Sequence, residues 1–145
     1  MTIKTGILST FGNTPLVALN KLFPDSSSRF CAKLEMFNPG GSTKDRTALR
    51  MLTKAADVGR IDHNSTIIES SSGNMAISLA LVCRYLDLKL IVVTVSKINR
   101  HTLDLIKAYG AKVEPVTESD SSRNYLSNRL NELESEPATF ECWNP

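Results

Sequence analysis

The chain has 145 residues, 41% hydrophobic and 22% charged, with 17 basic against 15 acidic side chains and a net charge of +2. This is about one domain of ordinary globular composition, which excludes disorder, collagen and coiled coil, and a single α/β domain over residues 1–145 is expected. No basic block grips nucleic acid, the longest mainly apolar stretch (residues 75–83) is too short to span a bilayer, and the N-terminus has no secretory core, so a cytoplasmic location is expected.

Gly12-Asn13-Thr14-Pro15 reads as a turn leading into Leu16, Val17 and Leu19. Residues 29–35 alternate, with Phe30, Ala32 and Leu34 on one face, which predicts a strand followed by a loop over 37–41. The spacing of Ala48, Met51, Leu52, Ala55 and Ala56 predicts a helix over 43–58, with Ser42 as N-cap and Gly59 at its C-terminal stop. Thr66, Ile67 and Ile68 form a short strand that runs through a polar loop, 70–74, into a largely apolar helix over 75–86.

The β-branched run 89–95 suits a strand buried on both faces, residues 99–109 a helix closed by Gly110, and residues 112–116 the next strand. Ser121 or Ser122 can cap a last helix bearing Tyr125, Leu126, Leu130 and Leu133, and residues 139–143 turn strand-like again. Strands separated by such helices are normally joined into an open, mainly parallel sheet with helices on both faces, so the fold class is α/β. Ligands in such sheets gather beyond the carboxyl ends of the strands, where loops meet helix starts.

Cys31, Cys83 and Cys142 are odd in number and far apart, with no histidine at metal-ligand spacing. No disulfide framework and no metal site are expected, and each reads as a small buried hydrophobe. His63 and His101 lie near a loop or helix start without an acidic or cysteine partner at useful spacing, and read as solvated.

Two loops can carry chemistry. In the first, residues 38–46, Gly40 and Gly41 allow close backbone approach and Lys44 falls in the first turn of a helix, where the positive end of the dipole disfavours an ammonium. A neutral, nucleophilic amine is easier to reach there, as a Schiff-base lysine requires. The plain reading is a turn with an N-cap, an exposed Lys44 and an Asp45 that offsets the dipole; taken alone it wins. The spacing of a nucleoside triphosphate phosphate loop is absent. The second loop sets Ser70, Ser71, Ser72, Gly73 and Asn74 at a helix start, which suits a carboxylate or phosphate as well as it suits simple capping.

Lys33-Leu34-Glu35, Asn38-Pro39-Gly40-Gly41-Ser42 and Lys44-Asp45-Arg46 together resemble the lysine signature of the cysteine synthase family of fold-type II enzymes, which use pyridoxal 5'-phosphate (PLP). Gly12-Asn13-Thr14-Pro15-Leu16-Val17, Ser71-Ser72-Gly73-Asn74, Arg100 and the stretch 108–113 resemble it too, in the same order and at similar separations. The resemblance implies that Lys44 binds PLP and then moves the α-proton of an amino acid substrate, and that Asn74 contacts the cofactor's ring oxygen. Ser71, Ser72, Gly73 and Asn74 would hold the substrate carboxylate. The implied reaction is β-replacement on an O-activated serine, O-phosphoserine or O-acetylserine, through an aminoacrylate, in a protein that is a homodimer at full family length. It involves small amino acid substrates, with no nucleic acid and no membrane.

Where cysteine synthases have Thr-Ser-Gly-Asn-Thr-Gly, this chain reads Ser71-Ser72-Gly73-Asn74-Met75-Ala76. Met75 removes a hydroxyl from the loop, and an apolar residue there, together with Leu22-Phe23-Pro24 and Phe37-Asn38-Pro39-Gly40-Gly41-Ser42, is more similar to the siderophore-pathway branch that joins O-phosphoserine to glutamate on the route to 2,3-diaminopropionate. Glutamate and sulfide stand close to level as nucleophiles. Family chains run to roughly two domains, and their second half supplies a glycine-rich loop for the PLP phosphate and a hydroxyl facing the pyridine nitrogen. The chain is therefore expected to be a fragment, a truncated gene product or a degenerate relative, poorly stable or self-associating alone. The alternatives are a truncated non-catalytic α/β anion-binding module that has lost PLP chemistry and, more weakly, a flavodoxin-like nucleotide module, in which the lysine loop has no place.

Overall fold

A computed structural model describes residues 3–95, 97–116 and 139–141. Strands β1 (Leu16–Ala18) and β2 (Cys31–Lys33) form an antiparallel pair. Helix α1 (Lys44–Asp57), strand β3 (Thr66–Ser70), helix α2 (Asn74–Tyr85), strand β4 (Lys89–Val95), helix α3 (Arg100–Ala108), and strands β5 (Lys112–Val116) and β6 (Thr139–Glu141) follow. The last four strands form one sheet in the order β5-β4-β3-β6, with every neighbour parallel, so the α/β expectation holds.

Alternation along the strands sorts the core. Ile67, Leu90 and Val92 pack with residues of α1, α2 and α3, including Ala48, Leu52, Leu79 and Ile106, whereas Ile68 and Val93 point to the opposite face. All three described helices thus contribute to one face. The last helix expected from the sequence, at 121–133, lies outside the described residues, as does Cys142.

Each helix is set by local chemistry. The N-cap of α1 is Thr43, without a side-chain cap, in place of the expected Ser42, because the helix begins one residue later; Ser42 Oγ still accepts the Lys44 N–H at 3.2 Å, and Gly59, at φ 72°, closes the other end. Helix α2 is buried at every residue from Ala76 to Cys83, because it is covered by α1 on one side, α3 on the other and β4 beneath. At the start of α3, Asn99 Oδ1 accepts the His101 N–H at 2.9 Å, and Gly110 takes φ 91° at the end.

The structure departs from the sequence reading around β2. The strand spans Cys31–Lys33 alone, Phe30 and Cys31 are exposed, and Glu35–Phe37 closes into a 3-10 turn in place of the strand's end. The physical reason is that, among the described residues, neither strand of this short pair has a buried residue, so alternation there does not translate into burial. Cys83 is buried as expected, and desolvation pushes its thiol up to about 12, which keeps it protonated and inert. His63 and His101 are both exposed. Among the described residues no helix is long and apolar enough to cross a membrane, and no cluster of potential metal ligands occurs.

Candidate functional site

Helices α1 and α2 both begin at the carboxyl end of β3, since α2 leaves that end through residues 71–73 and α1 returns from it toward the start of β3. The two loops singled out in the sequence therefore lie at the same end of the sheet, where α1 is joined to α2. The join is explicit in a hydrogen bond from Ser78 Oγ, in the second turn of α2, to Asp45 Oδ1, in the first turn of α1, at 2.5 Å. Both residues are fully buried.

Lys44 is exposed at the first position of α1. Its loop is tightly made, with the Gly41 N–H bonded to Asn38 C=O at 2.8 Å, Gly41 at φ 82°, and the Gly40 N–H bonded to Asp45 Oδ2 at 2.6 Å. A Cβ added at Gly40 would collide with the Asp45 carboxylate. Asp45 thus differs from the plain reading of a solvated residue offsetting the dipole: it is a buried acceptor of two hydrogen bonds.

On the facing loop, the Gly73 N–H reaches Ser71 Oγ at 3.4 Å, and the start of α2 has no side-chain cap. Ser71 is half-buried, Ser72 and Asn74 are exposed, and the Ser71 N–H is tied to Val93 C=O of the neighbouring strand at 3.2 Å. Hydroxyls, a carboxamide and uncapped backbone N–H groups at a helix start form an acceptor site for an anion such as a carboxylate. An amine stands at the start of the adjacent helix. This donor set fits an aldehyde cofactor bound together with an amino acid.

Behind the lysine loop lies a polar network that periodicity could not reveal. Arg46 donates to Glu35 Oε1 at 2.9 Å and to Thr14 Oγ1 at 3.2 Å, Thr14 Oγ1 donates to Glu35 Oε1 at 2.8 Å, and Asn38 Nδ2 donates to Glu35 Oε2 at 2.8 Å. Lys33 Nζ donates to Thr14 C=O, and Asn38 Oδ1 accepts the Gly12 N–H at 2.9 Å, with Gly12 at φ 84°. These bonds fasten the turn at 12–15 and the 3-10 turn at 35–37 to α1.

The hydrogen bonds from Arg46, and then Thr14, pull the Glu35 carboxyl down from its usual 4.5 to about 2. A depressed folded-state value means that the network's contribution to stability is complete above about pH 4.5 and is lost as the pH falls toward about 2. Glu35→Gln should flatten the acid dependence of the urea midpoint within that window and leave its slope above it unchanged. An unaltered acid limb would refute the assignment.

The described residues also frame several hollows, one of them along residues 18–22. Another, of about 310 Å³, is lined by Gly12, Asn13, Thr14, Pro15 and Phe37 beside the polar network. A further one, of about 250 Å³, includes Arg84, Lys89 and Tyr109 and lies at the opposite end of the sheet, remote from Lys44.

Comparison with known proteins agrees with this geometry. A family model described as pyridoxal-phosphate dependent enzyme matches residues 7–142. The N-(2-amino-2-carboxyethyl)-L-glutamate synthase of Cupriavidus metallidurans is 44% identical over 124 residues, which is 86% of this chain and 36% of that protein. A hydrogen sulfide-producing enzyme from Fusobacterium nucleatum is similar in structure, with a TM-score of 0.87 and 33% identity over 99% of this chain and 46% of its own. An O-acetylserine dependent cystathionine beta-synthase from Helicobacter pylori gives a TM-score of 0.85 and 34% identity over 97% and 47%. The chain spans 36% of that synthase and 46% and 47% of the two solved chains.

Proposed function

Because the chain belongs to the pyridoxal-phosphate dependent enzyme family, we propose that it is the lysine-bearing part of an enzyme that carries out β-replacement on an O-activated serine, with glutamate as the nucleophile. Residues 1–145 are then one α/β unit of a longer enzyme, dimeric at full length. The observation that supports this reading is the Ser78–Asp45 bond, which ties the first turn of α1, one residue after Lys44, to the second turn of α2, one turn after Asn74.

Bound PLP supplies an electron-withdrawing ring that stabilises negative charge at the substrate Cα. Lys44 would hold the cofactor through its amine and, once the substrate is bound, would move the Cα proton as general base. Asn74 would donate to the cofactor's ring oxygen. Ser71, Ser72, Gly73 and Asn74, with the backbone N–H groups at the start of α2, hold the substrate carboxylate and so orient its Cα–H toward Lys44. The Cβ–O bond of the serine derivative would break as the Cα proton passes to Lys44, with phosphate or acetate leaving; the glutamate amine would then form the Cβ–N bond, losing one proton to solvent, and Lys44 would return the proton to Cα. By the family resemblance, a glycine-rich loop of the family's second half would hold the PLP phosphate.

Glutamate is favoured over sulfide because the curated relative is named for a product in which a serine-derived 2-amino-2-carboxyethyl group sits on glutamate, and its identity of 44% exceeds the 33% and 34% of the sulfide-producing and cystathionine-forming enzymes. Met75, in place of a hydroxyl residue, supports the same branch. Such a product is a precursor suited to 2,3-diaminopropionate and siderophore assembly in the cytoplasm. The second reading, a non-catalytic anion-binding module, rests on the uncapped start of α2.

Assay of the PLP-loaded protein with O-phosphoserine or O-acetylserine, each with glutamate or sulfide, separates these readings. Mass-spectrometric detection of N-(2-amino-2-carboxyethyl)-L-glutamate as the faster product is expected. Faster cysteine formation would overturn the choice of nucleophile, and retained carboxylate binding without turnover would favour the module.

A further inference from the structure

We propose that Asp45 is a positioning residue that fixes Lys44 against the substrate loop, acting through the Gly40 N–H on one side and Ser78 on the other; this rests on the function proposed above. An aspartate at a helix start ordinarily remains in solvent or caps its own helix, where it offsets the dipole at little cost. Asp45 does neither. It is 0% exposed, and both partners it binds, Gly40 N–H at 2.6 Å and Ser78 Oγ at 2.5 Å, are neutral groups outside α1. Burying a carboxylate on neutral donors is costly, so a location where both donors are supplied indicates a built arrangement.

Three further features fit this role. Gly40 is the residue type the contact demands, because any Cβ there would strike the carboxylate. Ser78 lies four residues after Asn74 on α2 and so on the same helical face, one turn below it. Neighbouring residues of a helix diverge by about 100°, so turning Asp45 into the α1–α2 contact leaves Lys44 at its rim, where it is exposed. One carboxylate thereby sets the loop that precedes Lys44, the turn that bears it, and the helix that begins with Asn74.

The test uses Asp45→Asn, which keeps the volume but presents an amide donor to one of the two donors, and Ser78→Ala, which removes only the tie to α2. Two quantities are read on the full chain: backbone amide exchange at Gly40, Gly41 and Lys44 relative to the α1 interior at 48–55, and the rate at which borohydride traps added PLP on Lys44. Asp45→Asn should raise exchange at Gly40 about tenfold with the α1 interior unchanged, and slow trapping at Lys44 about tenfold toward the rate of the other lysines. Ser78→Ala should slow trapping with Gly40 exchange unchanged, and the double variant should trap no more slowly than Asp45→Asn.

A purely structural Asp45 would raise exchange throughout α1, which overturns the proposal. Unchanged trapping at Lys44 in Asp45→Asn overturns it as well. A wild-type chain that traps PLP no faster on Lys44 than elsewhere overturns the function proposed above and with it the link to catalysis, while the exchange at Gly40 still decides whether Asp45 holds the loop.

Discussion

Lys44→Ala is expected to reduce the β-replacement activity of the PLP-loaded protein by a factor of about 10³ or more, since one change removes both the covalent hold on the cofactor and the base that moves the Cα proton. The effect should fall on kcat. Folding should be spared, because Lys44 is exposed and its backbone N–H, bonded to Ser42 Oγ, is retained by alanine. Lys44→Arg is the informative companion: it keeps the positive charge at the start of α1, but a guanidinium stays protonated and cannot take over the amine's chemistry. Steady-state kinetics and far-ultraviolet circular dichroism on both variants check the prediction. Activity of Lys44→Arg within tenfold of wild type would mean that Lys44 acts only as a charge.

The largest stability effect is expected at Leu79→Ala. Leu79 is fully buried on α2 within the cluster that includes Leu52, Ile67, Val92 and Ile106, so truncation removes apolar contacts toward both α1 and the sheet. Such a change costs about 2–5 kcal/mol, against a total of about 5–15 kcal/mol for a typical domain. Urea unfolding followed by circular dichroism should show the midpoint falling with the slope unchanged. A shift of less than about 1 kcal/mol would show that α2 is not packed as described.

Most of the α/β unit was legible in the sequence because the signals are local. The β-branched run 89–95 and the stretch 112–116 became β4 and β5 with the expected bounds, and the helix ends followed to within one residue from Ser42, Gly59 and Gly110, whose capping chemistry acts within a few residues. That α1 and α2 begin at the same end of β3 was implied by the order of strands and helices. The reading weakened wherever a residue's role depends on partners far along the chain. Asp45 looked like a solvated dipole partner because Ser78 is 33 residues away.

Thr14 and Arg46, 32 residues apart, carry no periodic signature that would pair them through Glu35. The 3-10 turn at Glu35–Phe37 likewise sits where alternation suggested the end of a strand, since hydrogen bonds spaced three residues apart leave no mark on a period of two. What signalled these polar residues was the density of Asn, Glu, Asp and Arg beside two glycines, more polar side chains than a simple turn requires.

The central claim is that Lys44 is the residue that takes PLP, and the most direct measurement is to incubate the purified chain with PLP, reduce with borohydride and map the modified peptides by mass spectrometry. The account predicts that the label concentrates on Lys44 well above the other lysines of the chain. Label scattered evenly over exposed lysines such as Lys4, Lys21 and Lys54, with none in excess on Lys44, would contradict it.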